Sequence, residues 1–258
     1  MSALLEVNGL TKRFGGLAVV EDVSFSLAQG GRLALIGPNG AGKTTVFNLL
    51  CGVYPVTAGS VRFDGADITA MASRRRIGVG LARSFQNIRL MPHLSVAENV
   101  MLGQQARASG VLALLSPLRG SRWRREADAR LAAFGLADVR DRLVADLPYG
   151  IRKKIEIVRA MMAAPRVLLL DEPAAGLNSR ETAELLQFLA SIADEGVSLL
   201  VIEHDMALVR GLCPDCVVLN FGRKIYDGPT ALVQQDRSVL EAYLGPRDGA
   251  EVASADVA

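Results

Sequence analysis

Cysteine is scarce. Cys51, Cys213 and Cys216 are the only three in 258 residues, too few and too oddly numbered for a disulfide framework. The Cys-x-x-Cys at 213 to 216 encloses Pro214 and Asp215 and has no second ligand pair nearby, which argues against zinc and for reduced, partly buried thiols. Long apolar runs are missing too. The candidates around 166–170 and 198–202 are strand-sized, well short of the roughly 20 residues that cross a bilayer, so a soluble chain is expected. The opening stretch MSALLEVNGLTKRF carries Glu6 and lacks a basic region followed by a sustained apolar segment. It therefore predicts no secretory signal, and a cytoplasmic location is expected. Excess charge is absent: 29 Lys and Arg stand against 27 Asp and Glu, a net +2 that is too small to argue for nucleic acid. What remains is a chain half apolar and long enough for one large α/β unit with a subdomain or two.

The most informative stretch is LALIGPNGAGKTTVF, from Leu33 to Phe47. Gly37, Gly42, Lys43 and Thr44 fall in the spacing G-x-x-x-x-G-K-T, between a short aliphatic run and a segment that nothing breaks as a helix. Such a turn is a phosphate cradle. The glycines let successive backbone N–H groups converge on phosphate oxygens, the helix start near Lys43 adds its positive end, and the lysine adds a point charge. Thr44 is left to hold a magnesium ion.

Ahead of this loop, residues 3 to 10 and 17 to 27 cluster Leu, Val and Phe around a turn at Gly15 and Gly16, which predicts a hairpin-like sheet layer. Phe14 could stack on a nucleotide base or be a core residue at a strand end. Strands are predicted at Gly59 to Phe63 and at Val79 to Phe85, the latter delivering Gln86 at a strand end, where ligands of open α/β sheets gather. Gln86 could reach a metal-bound phosphate or its water, although polar residues commonly end strands. From about 89 to 164 the strand signal disappears. Ser95 with Glu98 forms a capping-box pattern, and Arg122 to Phe134 and Ile151 to Ala163 show helical spacing, so a helical insertion is expected. Within it an apolar patch precedes Arg119, Arg122, Arg124 and Arg125, read as a loosely packed hairpin with a solvated basic face or as a docking surface.

A second strong signal is the buried-type strand Val167 to Leu170, which ends on Asp171 and Glu172 before Pro173. Adjacent carboxylates at such a strand tip are costly unless a cation or a reacting water claims them. With a phosphate loop upstream, Asp171 is expected to share the magnesium with Thr44. Glu172, turned elsewhere by strand alternation, would orient or deprotonate the attacking water. Asn178 opens a helix over 179–194, and the next core strand, Val197 to Ile202, delivers Glu203 and His204. Beside the loop and the carboxylate pair, His204 reads as a γ-phosphate sensor that keeps the water aligned, whereas His93 has no such company. A hairpin over Cys216 to Asp227 and two short helices ending near Leu244 close the chain, and the small, polar segment 246–258 is expected to be mobile.

In this combination and order the chain resembles the ATP-binding subunits of ABC transporters over about residues 4 to 245. The resemblance implies an α/β P-loop NTPase with a RecA-like core, an N-terminal antiparallel β subdomain and an inserted helical subdomain at about 89–164, in one ATP-binding domain spanning 1–245. It implies ATP and Mg2+ as cofactors. The family's phosphate loop falls on Gly37, Pro38, Asn39, Gly40, Ala41, Gly42, Lys43, Thr44 and Thr45, its glutamine loop on Gln86, its carboxylate strand on Leu168 to Pro173, its switch histidine on His204 and its base-stacking aromatic on Phe14. Catalysis would then rest on Glu172, His204 and Gln86, and metal binding on Thr44, Gln86 and Asp171. The family's Leu-Ser-Gly-Gly-Gln falls on LPYGI, where only Leu147 and Gly150 persist. Pro148 replaces the serine hydroxyl, Tyr149 the first glycine and Ile151 the glutamine. A proline fits the first turn of the helix that begins here, so this segment can still aim a helix start at an anion.

FGG at 14–16, ARSFQNIRLMPHLSVAENV at 82–100, the insertion near 104–122, the tyrosine at 149 and DEPAAGLN at 171–178 are similar to the subunits of branched-chain or hydrophobic amino-acid importers. That resemblance implies a second ATP-binding subunit, two transmembrane permease subunits and an external substrate-binding protein, with the chain peripheral on the inner face of the membrane. Each nucleotide would lie between Lys43 of one subunit and Leu147, Pro148, Tyr149 and Gly150 of the other. Two alternatives stay open. A non-transport ATPase of the same fold is expected to carry a long coiled-coil insertion or tandem domains, neither of which is present. A regulatory subunit with a weak site would share every loop named.

Overall fold

The computed structural model describes residues 3–84, 88–107 and 121–244. Two sheets enclose one helix. The antiparallel sheet has the order β2-β1-β4-β5, with β1 Ala3–Phe14, β2 Leu17–Ala28, β4 Ala58–Phe63 and β5 Ala66–Asp67. The second sheet has six strands, β10-β9-β3-β8-β7-β6: β3 Arg32–Ile36, β6 Leu81–Arg83, β7 Val167–Asp171, β8 Ser198–Ile202, β9 Asp215–Asn220 and β10 Arg223–Pro229. Its first five strands in that chain order run parallel, and β10 folds back antiparallel to β9.

Strand alternation divides the core. Leu168 and Leu170 of β7, with Leu199 and Val201 of β8, face the helical side; Val167, Leu169, Leu200 and Ile202 face helix α1 (Lys43–Leu50) and the antiparallel sheet. A parallel strand buried on both faces has to read as a near-continuous apolar run, which is why VLLLD is apolar up to its tip and SLLVI is apolar after Ser198. The hairpin layer, with β1 paired to β2 in a bulged register, matches the sequence expectation.

Helix α1 is anchored by a side chain from outside it. At its C-terminus the buried guanidinium of Arg76, on the short helix α2 (Ser73–Arg76), donates to the carbonyls of Leu49, Leu50, Met71 and Thr69. A cation there satisfies terminal carbonyls and complements the helix dipole. This fixes the helix whose other end carries Lys43.

Between β6 and β7 lie α3 (Val96–Leu102), α4 (Ser121–Ala133) and α5 (Tyr149–Met161). Ser95 and Glu98 form the expected capping box on α3. Helix α5 starts two residues before the expected Ile151, and Pro148 is its N-cap rather than part of its first turn. Arg124 on α4 pairs with Asp128 and Asp141, so part of the basic cluster is neutralised. Arg119 and most of the 104–122 insertion lie outside the described residues. The strand expected over Val79 to Phe85 is shorter, Leu81–Arg83. Residues 77–79 form a 3-10 turn that ends on Gly80 at φ 104°, a left-handed kink that delays the start of extended pairing to Leu81. After β7 come α6 (Ser179–Asp194), capped by Asn178 and Glu181, then α7 (Met206–Leu212) and α8 (Arg237–Leu244). Among the described residues no helix is long and apolar enough to cross a membrane.

Candidate functional site

The loop from Gly37 to Gly42 joins β3 to α1, and two of its glycines are sterically required. A Cβ on Gly37 would lie 2.1 Å from the Leu219 carbonyl oxygen, and one on Gly42 would lie 2.8 Å from that of Val19. Gly42 is the left-handed N-cap of α1 and no side chain caps the helix, so its first N–H groups are available to an anion. Lys43, only 6% exposed, donates from Nζ to the carbonyls of Gly37 (2.7 Å) and Pro38 (2.9 Å). Those bonds hold the ammonium over the loop and leave one of its three N–H groups for a ligand oxygen. Burial lowers its pKa, against the opposing pull of Glu172 and then Asp171. Residues 39 to 45, with Val19 and Glu172, line a cavity of about 240 Å³. Thr44 is exposed at the loop mouth.

Two strand tips meet beside this loop. Asp171 ends β7, is 3% exposed, and its Oδ2 accepts from Arg83 at 2.5 Å. Glu172 follows with φ 46°, its backbone N–H donating to the Ile202 carbonyl. This corrects the sequence expectation: Glu172 is turned away from Asp171 by a left-handed residue beyond the strand, and strand alternation is not the cause. Its Oε1 lies 2.8 Å from Nε2 of His204, which projects from beyond the tip of β8. His204 and Glu172 are thus in contact, and Glu172 shares the cavity with the Lys43 loop.

The supporting residues were less legible. Glu203, buried between β8 and the histidine, accepts from the backbone N–H of Ala174 through Oε1 (2.6 Å), and from those of His204 and Asp205 through Oε2. Its apolar run flagged a strand end, but its partners are backbone groups that no pattern announces. Lys153, fully buried on α5, has its pKa lowered by desolvation while Glu156, Glu203, Asp171 and Glu172 pull it up.

Phe14 is 44% exposed at the end of β1. Tyr54 packs edge-on against its ring at 5.3 Å, and the Lys12 ammonium lies 4.8 Å from its centroid while donating to the Pro55 carbonyl. The ring is therefore a supported, partly open platform and not a core residue. Leu147 is buried, Pro148 and Tyr149 are exposed, and Gly150 is packed so that a Cβ would lie 3.1 Å from Oε1 of Glu181. None of these four lines the phosphate-loop cavity of its own chain. Gln86 lies outside the described residues.

The magnesium ion suggested by the motif suits this donor set. Among the described residues no group of three or more His, Cys, Asp or Glu forms a metal cage. A hard cation held by one carboxylate, one hydroxyl and a substrate's phosphates needs no such cage. Asp171 and Thr44 are the carboxylate and the hydroxyl that would supply those two oxygens.

Comparison with known proteins agrees with this geometry. The profile described as "ABC transporter" matches residues 20–175. The chain is 39% identical over 249 residues to the high-affinity branched-chain amino acid transport ATP-binding protein BraF of Pseudomonas aeruginosa, covering 94% of this chain and 98% of that one. The same figures hold for LivG, of the same description, from Escherichia coli. Among solved structures, a nucleotide-free ATP-binding cassette from an ABC transporter superposes with a TM-score of 0.86 at 27% identity, covering 95% of this chain and all of that one. An ATP-binding cassette in its ADP conformation gives 0.87 at the same identity and coverage. Lysine loop, carboxylate tip and histidine tip thus stand in the fold that such cassettes share, and the chain belongs to the ABC transporter family as an ATP-hydrolysing subunit.

Proposed function

We propose that this chain powers the import of branched-chain or other hydrophobic amino acids, working with a second ATP-binding subunit and two transmembrane permease subunits at the inner face of the membrane, supplied by an external substrate-binding protein. The likeness to BraF and LivG over nearly the whole of both chains supports the cargo. The observation that carries the site reading is the Glu172–His204 contact at the mouth of the Lys43 loop.

The division of labour follows from the chemistry. Residues 37 to 45 bind the phosphates through backbone N–H groups and the Lys43 ammonium. Phe14 stacks on the base. Thr44 and Asp171 hold magnesium, which when bound supplies charge neutralisation at the phosphates. Glu172 accepts the proton of the attacking water and His204 holds Glu172 and the terminal phosphate in line, a positioning role for which its 2.8 Å contact suits it. Gln86 keeps the metal and coupling role that the family resemblance implies. Residues 147 to 150 engage the nucleotide of the second subunit, which is consistent with their absence from this chain's own cavity.

The test is reconstitution of the chain with its permease subunits and partner ATPase in vesicles, with external binding protein. ATP-dependent leucine uptake that disappears with Glu172→Gln is the expected result. Uptake unaffected by that substitution, or ATP hydrolysis with no amino-acid transport, would overturn the reading.

A further inference from the structure

Arg83 has no part in the roles assigned so far, yet it stands at the centre of the site. It ends β6, beside the tip of β7. Its guanidinium donates through one nitrogen to Oδ2 of Asp171 at 2.5 Å and through the other to Oδ1 of Asn48 at 2.6 Å, and lies 5.7 Å from the centroid of the Phe47 ring. Asn48 and Phe47 belong to α1, the helix that carries Lys43 and Thr44. One planar fork therefore ties the carboxylate strand to the phosphate-loop helix.

Two consequences follow for Asp171. With Oδ2 claimed by the guanidinium, Oδ1 is the oxygen left for a cation. The carboxylate is also only 3% exposed, so no shell of water holds it in place without the guanidinium. A nearly buried carboxylate released from that anchor would lose its fixed direction and with it its fitness as a metal ligand. Outer-shell partners of metal-binding carboxylates act in this way generally.

We infer that Arg83 is a positioning residue for magnesium, holding Asp171 against α1 in the one orientation that serves the metal. This rests on the reading that Asp171 and Thr44 hold the ion.

The experiment is calorimetric titration of ATP into the intact chain at a series of Mg2+ concentrations and in EDTA, for wild type, Arg83→Lys and Asp171→Asn. Lysine keeps the charge but cannot span both Asp171 and Asn48. The Mg2+ concentration at half-maximal effect is expected to rise about tenfold in Arg83→Lys, with ATP binding in EDTA unchanged and a cooperative melting transition retained. A wild-type midpoint in Arg83→Lys, alongside a shifted midpoint in Asp171→Asn, would overturn the inference alone. An unshifted midpoint in Asp171→Asn would overturn the magnesium reading beneath it. If Arg83→Lys does not fold, Asn48→Ala removes one anchor and leaves the ion pair; a rise of about threefold supports the inference, and no rise overturns it.

Discussion

Replacing Glu172 separates chemistry from binding and from folding. Glu172→Gln keeps the shape and a hydrogen-bonding partner for His204 Nε2 but cannot accept a proton. A positioned general base contributes about a hundredfold to ten-thousandfold, or about 3 to 5 kcal/mol of barrier, so turnover should fall at least a hundredfold. ATP binding should persist, because the loop N–H groups and Lys43 are untouched and one negative charge near Lys43 is gone. The fold should persist as well, since the link to Ile202 uses the backbone. The backbone offers a second readout. Glu172 sits at φ 46°, a region where a side chain other than Asn or Asp is held at a cost of about 1 to 2 kcal/mol. Glu172→Asn should therefore be as inactive as the glutamine variant yet more stable, by up to about 1 kcal/mol. Phosphate release, nucleotide calorimetry and thermal melting on the three proteins decide the matter. Glutamine turning over at the native rate would remove Glu172 from the base role, and asparagine melting below wild type would refute the strain argument.

Four further outcomes are expected. Gly37→Ala drives a methyl against the Leu219 carbonyl, so ATP affinity should drop at least about tenfold. Gly40→Ala, which meets nothing within 4 Å, should lose less by the same titration. The thiols should resist alkylation at pH 8 until the chain is unfolded, since burial pushes Cys213 up to about 12, Cys216 to about 11 and Cys51 upward. Because the two higher values exceed the ordinary 9.0, their contribution to stability is full below pH 9 and drains as pH climbs through 11 to 12, which alkaline melting curves should record. Isolated subunits should dimerise only weakly on ATP, because Pro148 offers no hydroxyl; light scattering that found a tight homodimer would contradict this.

Local pattern carried most of what sequence could say. Helix caps at Ser95 and Asn178, the phosphate loop and the buried strands VLLLD and SLLVI were legible because each is specified by neighbours within a few residues. Failures have the opposite character. Gly80 shortened β6 through a single left-handed dihedral, and Glu172 owes its direction to another. Arg83 looked like any strand residue, because its partners Asn48 and Asp171 are 35 and 88 positions away and meet it only once the sheet is assembled. Phe14 was ambiguous for the same reason: Tyr54, which supports its ring, comes from the segment between α1 and β4 and reaches it only in the assembled fold.

Glu203 has a mechanical consequence. One rigid carboxylate grips the first peptide of the 174–178 segment with one oxygen and the peptides of the histidine turn with the other. Those two stretches share a single pivot. Under the proposed pairing, a tug on the imidazole from an arriving phosphate would be felt at Ala174, and a neighbour pressing on the 174–178 segment would be felt at the imidazole, so signals would pass in either direction through one buried side chain.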